Sequence, residues 1–450
     1  MPVRYITVTS ITNLFVPATQ SFSNIAIVGA VDANAQGPKK TPVPITNPLS
    51  VSFQSPLTLT TSGATAAGNG TLNFAAVPST IVKGMAVADL TNTPVIPNNT
   101  FVQSTTATTV VMTQSATGAG VANGDSIQIG WSNNKPVDDV GWFSGALANS
   151  VKTAFNQSPG PTTIWAIATD PADAGNAVSN ALNEAAKIQV QIVVVANTPV
   201  AGTNAAPQGR TEIEALANHC NTVSNGSDGM ERIGVAMLGQ GLTDTSIVTG
   251  AMSQNRMTMI AHHSIEDAAA AVAGVIAGYE PHISMLLKPI ALDMDTVFVD
   301  SQIDAFNTAR VNWVTRTPLI PGAGFYMGEG YTLGADQPYI DIVRTIDEIS
   351  FDLKAALIRS IGVLRVTRAG LRALVSEMTA VLQPLQDDGV IDSYLVVFPL
   401  LTLLDKDPST LTDVELQEIH NAQATRTVDS IVTIEYAGAI HRLNITLKFE

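Results

Sequence analysis

The feature that most limits how this chain can fold is the regular exchange of short apolar strands and amphipathic helices between about residue 135 and residue 334. Residues 163–168, 190–196 (VQIVVVA), 232–238 and 256–261 are apolar runs, while 142–155, 176–186, 211–223 and 264–277 place apolar residues at helical spacing. Runs with so little polar alternation fit strands buried on both faces, and strands separated by helices of this length fit βα units. A mostly parallel sheet covered by helices is therefore predicted. Residues 24–29 (NIAIVG), and 49–53 after a Gly/Pro turn region, supply further strands at its start.

The sheet does not use the whole chain. From 55 to 131 the composition shifts to Thr, Ser, Gly, Ala and Asn, with only Lys83, Asp89 and Asp125 charged. Short runs (LTLTT, TLNF, TFVQS, TTVVM, SIQIG) alternate with Gly and Asn turns, which predicts a small all-β module inserted into the α/β fold. Such an insert fits either a surface elaboration without a binding role or a recognition module. The first twenty residues, with Tyr5, Ile6, Val8 and Ile11 among hydroxyl side chains, read as an extended arm ending at Pro17. At the other end Val432, Ile434 and Tyr436, then Leu443, Ile445, Leu447 and Phe449 after Gly438, alternate with polar residues in a two-strand pattern. Two strands alone are marginal in water, so this pattern needs a sheet to join. An edge hairpin of the chain's own domain is one such arrangement.

With 450 residues, and about 150 per domain, two to four domains are expected. A net charge of −15 argues against a protein held to nucleic acid through phosphates. Only 14% of residues are charged while 45% are hydrophobic, which suits a chain whose surface is largely covered by neighbours. The single cysteine, Cys220, allows no intrachain disulfide and reads as an ordinary helix-end residue. The N-terminus has no secretory pattern. The longest apolar run near the end, 395–404, is too short to span a bilayer and contains Pro399.

Candidate catalytic and metal motifs fail on spacing. His262, His263 and Glu266 suggest a metal, but Ser264 followed by Asp267 reads as a helix start that leaves both histidines outside the helix. Gly322, Gly324, Gly328 and Gly330 lack the ending of a phosphate loop and are expected in a flexible interdomain loop. Asp293 and Asp295 lack the further ligands of a calcium loop, and GWFSG around Ser144 is not a nucleophile elbow. No catalytic residue, cofactor site or metal site is assigned. An α/β enzyme with an unfamiliar site would draw on Asp170, His263 or Asp295.

The block from 339 to 391 carries the clearest signature. Ile340, Val343, Ile346, Ile349, Leu353 and Leu357 recur every three or four residues, and Leu371, Leu374, Val375, Met378, Val381 and Leu382 repeat the pattern after Gly370. Arg359, Arg365, Arg368 and Arg372 lie between and beside these faces, either as a docking surface or as solvated arginines paired with Asp347, Asp352 or Glu377. The run Arg344-Thr345-Ile346-Asp347 and the later VTRAGLRALV (366–375) resemble the inner, tube-proximal domain of contractile tail sheath proteins, which sleeve phage tails, bacteriocin particles and related injection machines. SIEDAAAAVAGVIAGYEPHISMLLKPI is similar to their outer domain.

The resemblance implies an α/β multidomain fold: an N-terminal arm (1–22), a discontinuous outer α/β sheath domain (23–54 with 132–335), an inserted surface β-rich module (55–131), an inner α+β domain (336–425) and a C-terminal β arm (426–450). It implies a non-enzymatic structural subunit of a virion tail, assembled in the host cytoplasm. The subunit would polymerise helically around an inner tube and contract from a metastable state to drive the tube through the target envelope. Implied partners are neighbouring sheath subunits, the tube, and baseplate and terminator proteins, with no direct nucleic acid and no membrane anchor. The arginine cluster would face an acidic patch on the tube or on an adjacent subunit. The arms (Ile6, Val8, Ile11, Val432, Ile434, Tyr436, Leu443, Ile445, Leu447, Phe449) would add strands to a neighbour's sheet. The alternative is a host-surface or carbohydrate-binding virion protein acting through the β insert.

Overall fold

The computed structural model describes residues 21–31, 38–46, 57–78, 81, 85–91, 95–97, 100–130, 145–173, 175–203, 205–226, 229–248, 250–317, 319–320, 324–439 and 441. The chain divides into two compact units, Phe22–Val343 and a second that begins at Arg344.

In the first unit, β1 (Asn24–Gly29) and β2 (Val43–Ile45) precede the β module, and the predicted strand at 49–53 lies outside the described residues. The module comprises β3 (Leu57–Gly63), β4 (Thr71–Phe74), β5 (Ala86–Asp89), β6 (Val102–Thr105), β7 (Thr109–Met112) and β8 (Ser126–Gly130). They form an antiparallel sheet in the order β5-β8-β3-β4-β7-β6. Bonds from Val87 N to Thr100 O and from Val102 N to Met85 O, with a bridge between Ala86 and Phe101, join its two ends. The module is thus a closed barrel filled by Leu72, Phe74, Val87, Val102, Val110, Met112, Ile127 and Ile129. Closure removes the open strand edges that promote unwanted pairing.

The chain then runs through α1 (Ala146–Phe155), β9 (Thr163–Ala168), α2 (Ala177–Ala185), β10 (Ile192–Thr203), β11 (Ala206–Gln208), α3 (Arg210–Ser224), β12 (Ile233–Leu238), β13 (Met257–Ala261) and α4 (Ala268–Gly278). It continues through β14 (Pro289–Ile290), α5 (Asp300–Ala309), β15 (Asn312–Thr315) and β16 (Phe325–Met327). The strands pair in parallel in the order β9-β1-β10-β12-β13-β15, with β2 antiparallel at one edge and β16 then β14 at the other.

Period-two alternation divides β1 between two cores. Ile25 and Ile27 pack with α1 and α4, while Ala26 and Val28 pack with α2 and α3. Helix α4 is buried over all of Ala268–Ala277. A Cβ at Gly274 would stand 2.3 Å from Ala154 O, so glycine is what lets α4 approach the α1 backbone. The glycine-rich run is not a loop throughout, because Phe325–Met327 is a strand of the sheet. At Gly328 a Cβ would meet the Trp313 indole, so this glycine serves ring packing.

Helix α6 (Ile340–Leu357) crosses the division between the units. The second unit continues with α7 (Arg368–Asp387), β17 (Ile391–Val397), α8 (Pro399–Leu404), α9 (Asp413–Thr425) and β18 (Ile431–Tyr436). Strands β17 and β18 form a two-stranded antiparallel sheet. Its inner side chains Tyr394, Val396, Val432 and Ile434 cluster with Ile349 and Leu382. Leu371, Met378, Phe398, Leu400 and Ile419 form a second small core. Among the described residues, no helix is long and apolar enough to cross a membrane.

Candidate functional site

Helix α7 begins at Thr367, whose hydroxyl accepts the Gly370 N–H at 3.2 Å. The connector before it turns through Gly362 in the left-handed region (φ 81°) and exposes Ile358, Ile361 and Val363 by 63%, 73% and 71%. The exposed Arg359 and Arg365 share this connector. Arg368 and Arg372 follow in the first turns of α7 and converge on Asp405, at the end of α8. Arg368 Nε and Arg372 Nη2 lie 2.8 and 3.1 Å from Asp405 Oδ1, and Arg368 Nη2 donates to the Leu404 carbonyl. Their partner is therefore none of Asp347, Asp352 and Glu377. Glu377 instead accepts from Ser360 Oγ at 2.5 Å, and burial holds the Asp352 carboxyl above its ordinary range. The structure brings Arg368 and Arg372 together on Asp405, while Arg359 and Arg365 lie on the connector before α7.

The C-terminal strand residues Val432, Ile434 and Tyr436 lie on β18, paired in register with Val396, Tyr394 and Ile391 of β17. Among the described residues neither strand has a second neighbouring strand. Its outer face exposes Leu395 and Ile431. Ile6, Val8, Ile11, Leu443, Ile445, Leu447 and Phe449 lie outside the described residues.

In open α/β sheets, ligands bind outside the carboxyl ends of the strands, where successive strands diverge. Here β1 is flanked by β9 and β10, and a cavity of about 280 Å³ near that edge is lined by Ser150, Lys152, Asn197, Glu266 and Asp267 among others. Its buried carboxylate is already engaged. Asp267 Oδ2 accepts from Ser150 Oγ at 2.5 Å and from Asn197 N at 2.6 Å, while Oδ1 caps α4 through Ala270 N at 2.9 Å. The helix thus starts at Asp267 and not at Ser264, whose hydroxyl accepts the Glu266 N–H. Asp267 latches α1, β10 and α4 together, a role its sequence context did not reveal.

His262 is buried with Nε2 against Leu238 O at 3.0 Å, and burial lowers its pKa; His263 packs on Phe298. Glu266 accepts from Asp293 N, and Asp293 and Asp295 are exposed. Asp170 pairs with Lys40. Among the described residues, no group of three His, Cys, Asp or Glu side chains can hold a metal. Ser144 lies outside the described residues. Burial pushes the Cys220 thiol up to about 12. Pattern reading also missed Arg232, fully buried and donating to the carbonyls of Ala185, Ile188 and Met230. Its Nη1 lies 3.3 Å from His219 Nε2, and burial, aided by this guanidinium, lowers His219 to about 4.

No family model matches the chain. No curated protein matches it in sequence. Solved structures do. The helical sheath of the anti-feeding prophage in its contracted state is 12% identical, with a TM-score of 0.53 over 98% of this chain and 99% of that one. The sheath complex of an extracellular contractile injection system, PVC, also contracted, is 11% identical with a TM-score of 0.54 over 100% of this chain and 98% of that one. The chain shares the mixed α/β fold of these contractile sheath subunits.

Proposed function

We propose that this chain is a structural subunit of a contractile sheath. It polymerises helically around an inner tube and contracts from a metastable extended state to drive the tube through a target envelope. The observation that carries this reading is the similarity to two contracted sheaths across both compact units, 98–100% of the chain. Residues 23–54 with 132–335 form the outer domain, 55–131 a surface module, 336–425 the inner domain, and 1–22 and 426–450 the arms. The subunit has no catalytic task. It works in the tail of a virion or a related injection particle, with the tube, baseplate and terminator proteins as further partners.

The physical parts suit the work. A sheet that has only two strands among the described residues is suited to accept a strand lent by a neighbour. Each backbone hydrogen bond so made contributes about 0.5–1.5 kcal/mol net, so four or five hold subunits together by several kcal/mol while domains repack. The closed barrel brings no such edges, so it adds bulk without competing for strands. No observation favours the host-binding alternative.

Negative-stain electron microscopy of the purified full chain, over a range of concentration and salt, tests the proposal. Hollow, helically striated tubes are expected, and they should persist when 55–131 is replaced by a short linker. A chain that stays a small oligomer under all conditions refutes the sheath reading.

A further inference from the structure

Arg232 carries a positive charge that the fold does not neutralise. It is fully buried, and its guanidinium donates to the carbonyls of Met230, Ala185 and Ile188 at 3.0, 2.8 and 3.0 Å, while among the described residues no carboxylate pairs with it. Carbonyl dipoles satisfy the N–H groups, but a buried cation without a counter-ion leaves a positive potential around it. A fourth neighbour carries that potential towards the surface. Arg232 Nη1 stands 3.3 Å from His219 Nε2 on α3. A guanidinium donates and does not accept, so Nε2 is the unprotonated nitrogen and the N–H of the neutral ring is at Nδ1. Burial first, and this guanidinium second, lower His219 to about 4, so the ring is neutral at pH 7.

His219 lines a groove between α2 and α3, with a cavity of about 390 Å³. Its Nδ1 makes no hydrogen bond among the described residues and is not one of the atoms sealed from solvent, so its N–H is available to the groove. Ser179 and Asn183 on α2, with Asn218 and Thr222 on α3, bring hydroxyl and amide donors to the walls. None of the lining residues is acidic. Glu184, next to Asn183 on α2, is held by Lys187 at 2.7 Å. Glu212 lies seven residues before His219, about 10 Å along α3. In a chain of net charge −15, a groove without a carboxylate and backed by an uncompensated arginine is set apart by its charge.

We infer that this groove binds a carboxylate group, one oxygen accepting the His219 Nδ1–H and the other served by the hydroxyl and amide donors of the walls. Arg232 does not touch the ligand. It fixes the tautomer of His219 and supplies the charge that favours an anion, so it is a positioning residue. The cavity has the volume of a site for a small organic acid, and it is also open to an Asp or Glu side chain of a second copy. The inference does not rest on the sheath reading.

Hydrogen exchange of the α2 and α3 amides in the full chain at pH 7 tests it, with sodium acetate titrated against sodium chloride at constant ionic strength. Acetate should slow exchange saturably, with half-saturation at about 1–10 mM, and at ten times that concentration by about tenfold relative to chloride. Acetamide, a neutral molecule of the same shape, should have no effect. His219→Phe keeps an aromatic ring without the donor and should lose the response to acetate. That position is half-buried, so Asn183→Glu supplies a second variant at an exposed site. Its new carboxylate should abolish the response by occupying the groove or repelling acetate, and circular dichroism checks both folds. Sedimentation separates the two sources of the carboxylate. If acetate lowers the average mass more than chloride does, the resident group is a side chain of a second copy; an unchanged mass assigns the groove to a small free acid. No saturable response up to about 100 mM acetate, an equal response to chloride or acetamide, or an unchanged response in both variants overturns the inference.

Discussion

Replacing Asp267 with alanine should destabilise the α/β unit more than any other single polar change near the carboxyl edge of its sheet. The carboxylate caps α4 and accepts from Ser150 Oγ and Asn197 N at 2.5 and 2.6 Å in a buried setting. Loss of an N-cap costs about 1 kcal/mol. Each charge-assisted bond contributes about 1.5–3 kcal/mol, and alanine leaves both donors without this acceptor. Partial relaxation offsets some of this, and the expected loss is about 3–5 kcal/mol. Asp267→Asn keeps an acceptor and the cap, so it should lose roughly 1–2 kcal/mol. Two compact units need not unfold together, so native-state hydrogen exchange at α1 and α4 amides is a better measure than one global melt. Combining Ser150→Ala with Asp267→Ala should cost less than the sum of the two, a coupling of about 1–2 kcal/mol. A loss below about 1 kcal/mol for Asp267→Ala, or strict additivity of the pair, would refute the latch.

Three further outcomes are expected. His219 is held near 4 against an ordinary 6.5, so its neutral form is favoured in the folded chain. Its contribution is full above pH 6.5 and is lost as pH falls towards 4, by up to about 3 kcal/mol; His219→Asn should flatten this part of a urea-midpoint against pH curve. Arg232→Met removes the donors to three carbonyls and should cost about 3 kcal/mol, seen as faster hydrogen exchange in α2 and α3. Cys220, buried with its thiol at about 12, should react with a thiol reagent at pH 8 only at the rate of unfolding; rapid labelling of the native protein would contradict the burial.

The sequence revealed most where burial leaves a periodic trace. Strands β1, β9, β10, β12 and β13 have both faces covered, so they appear as apolar runs, and the helices between them keep a single apolar stripe. Strand β18 was visible for the opposite reason, since its one covered face makes apolar and polar residues alternate. Long-range pairing leaves no such trace. Nothing local in Met85, Val87 and Thr100 tells that these residues close a barrel. The apolar run 395–404 reads as one segment, yet Pro399 divides it: the part before it pairs with β18 and the part after it forms α8. That division brings Asp405 to the arginines. For Arg368 and Arg372 the carboxylates nearer in sequence, Asp347, Asp352 and Glu377, were the natural expectation, whereas the partner is supplied from 33 residues beyond Arg372. With Arg368 and Arg372 held there, α8 supplies the anion that offsets the two cations in the first turns of α7.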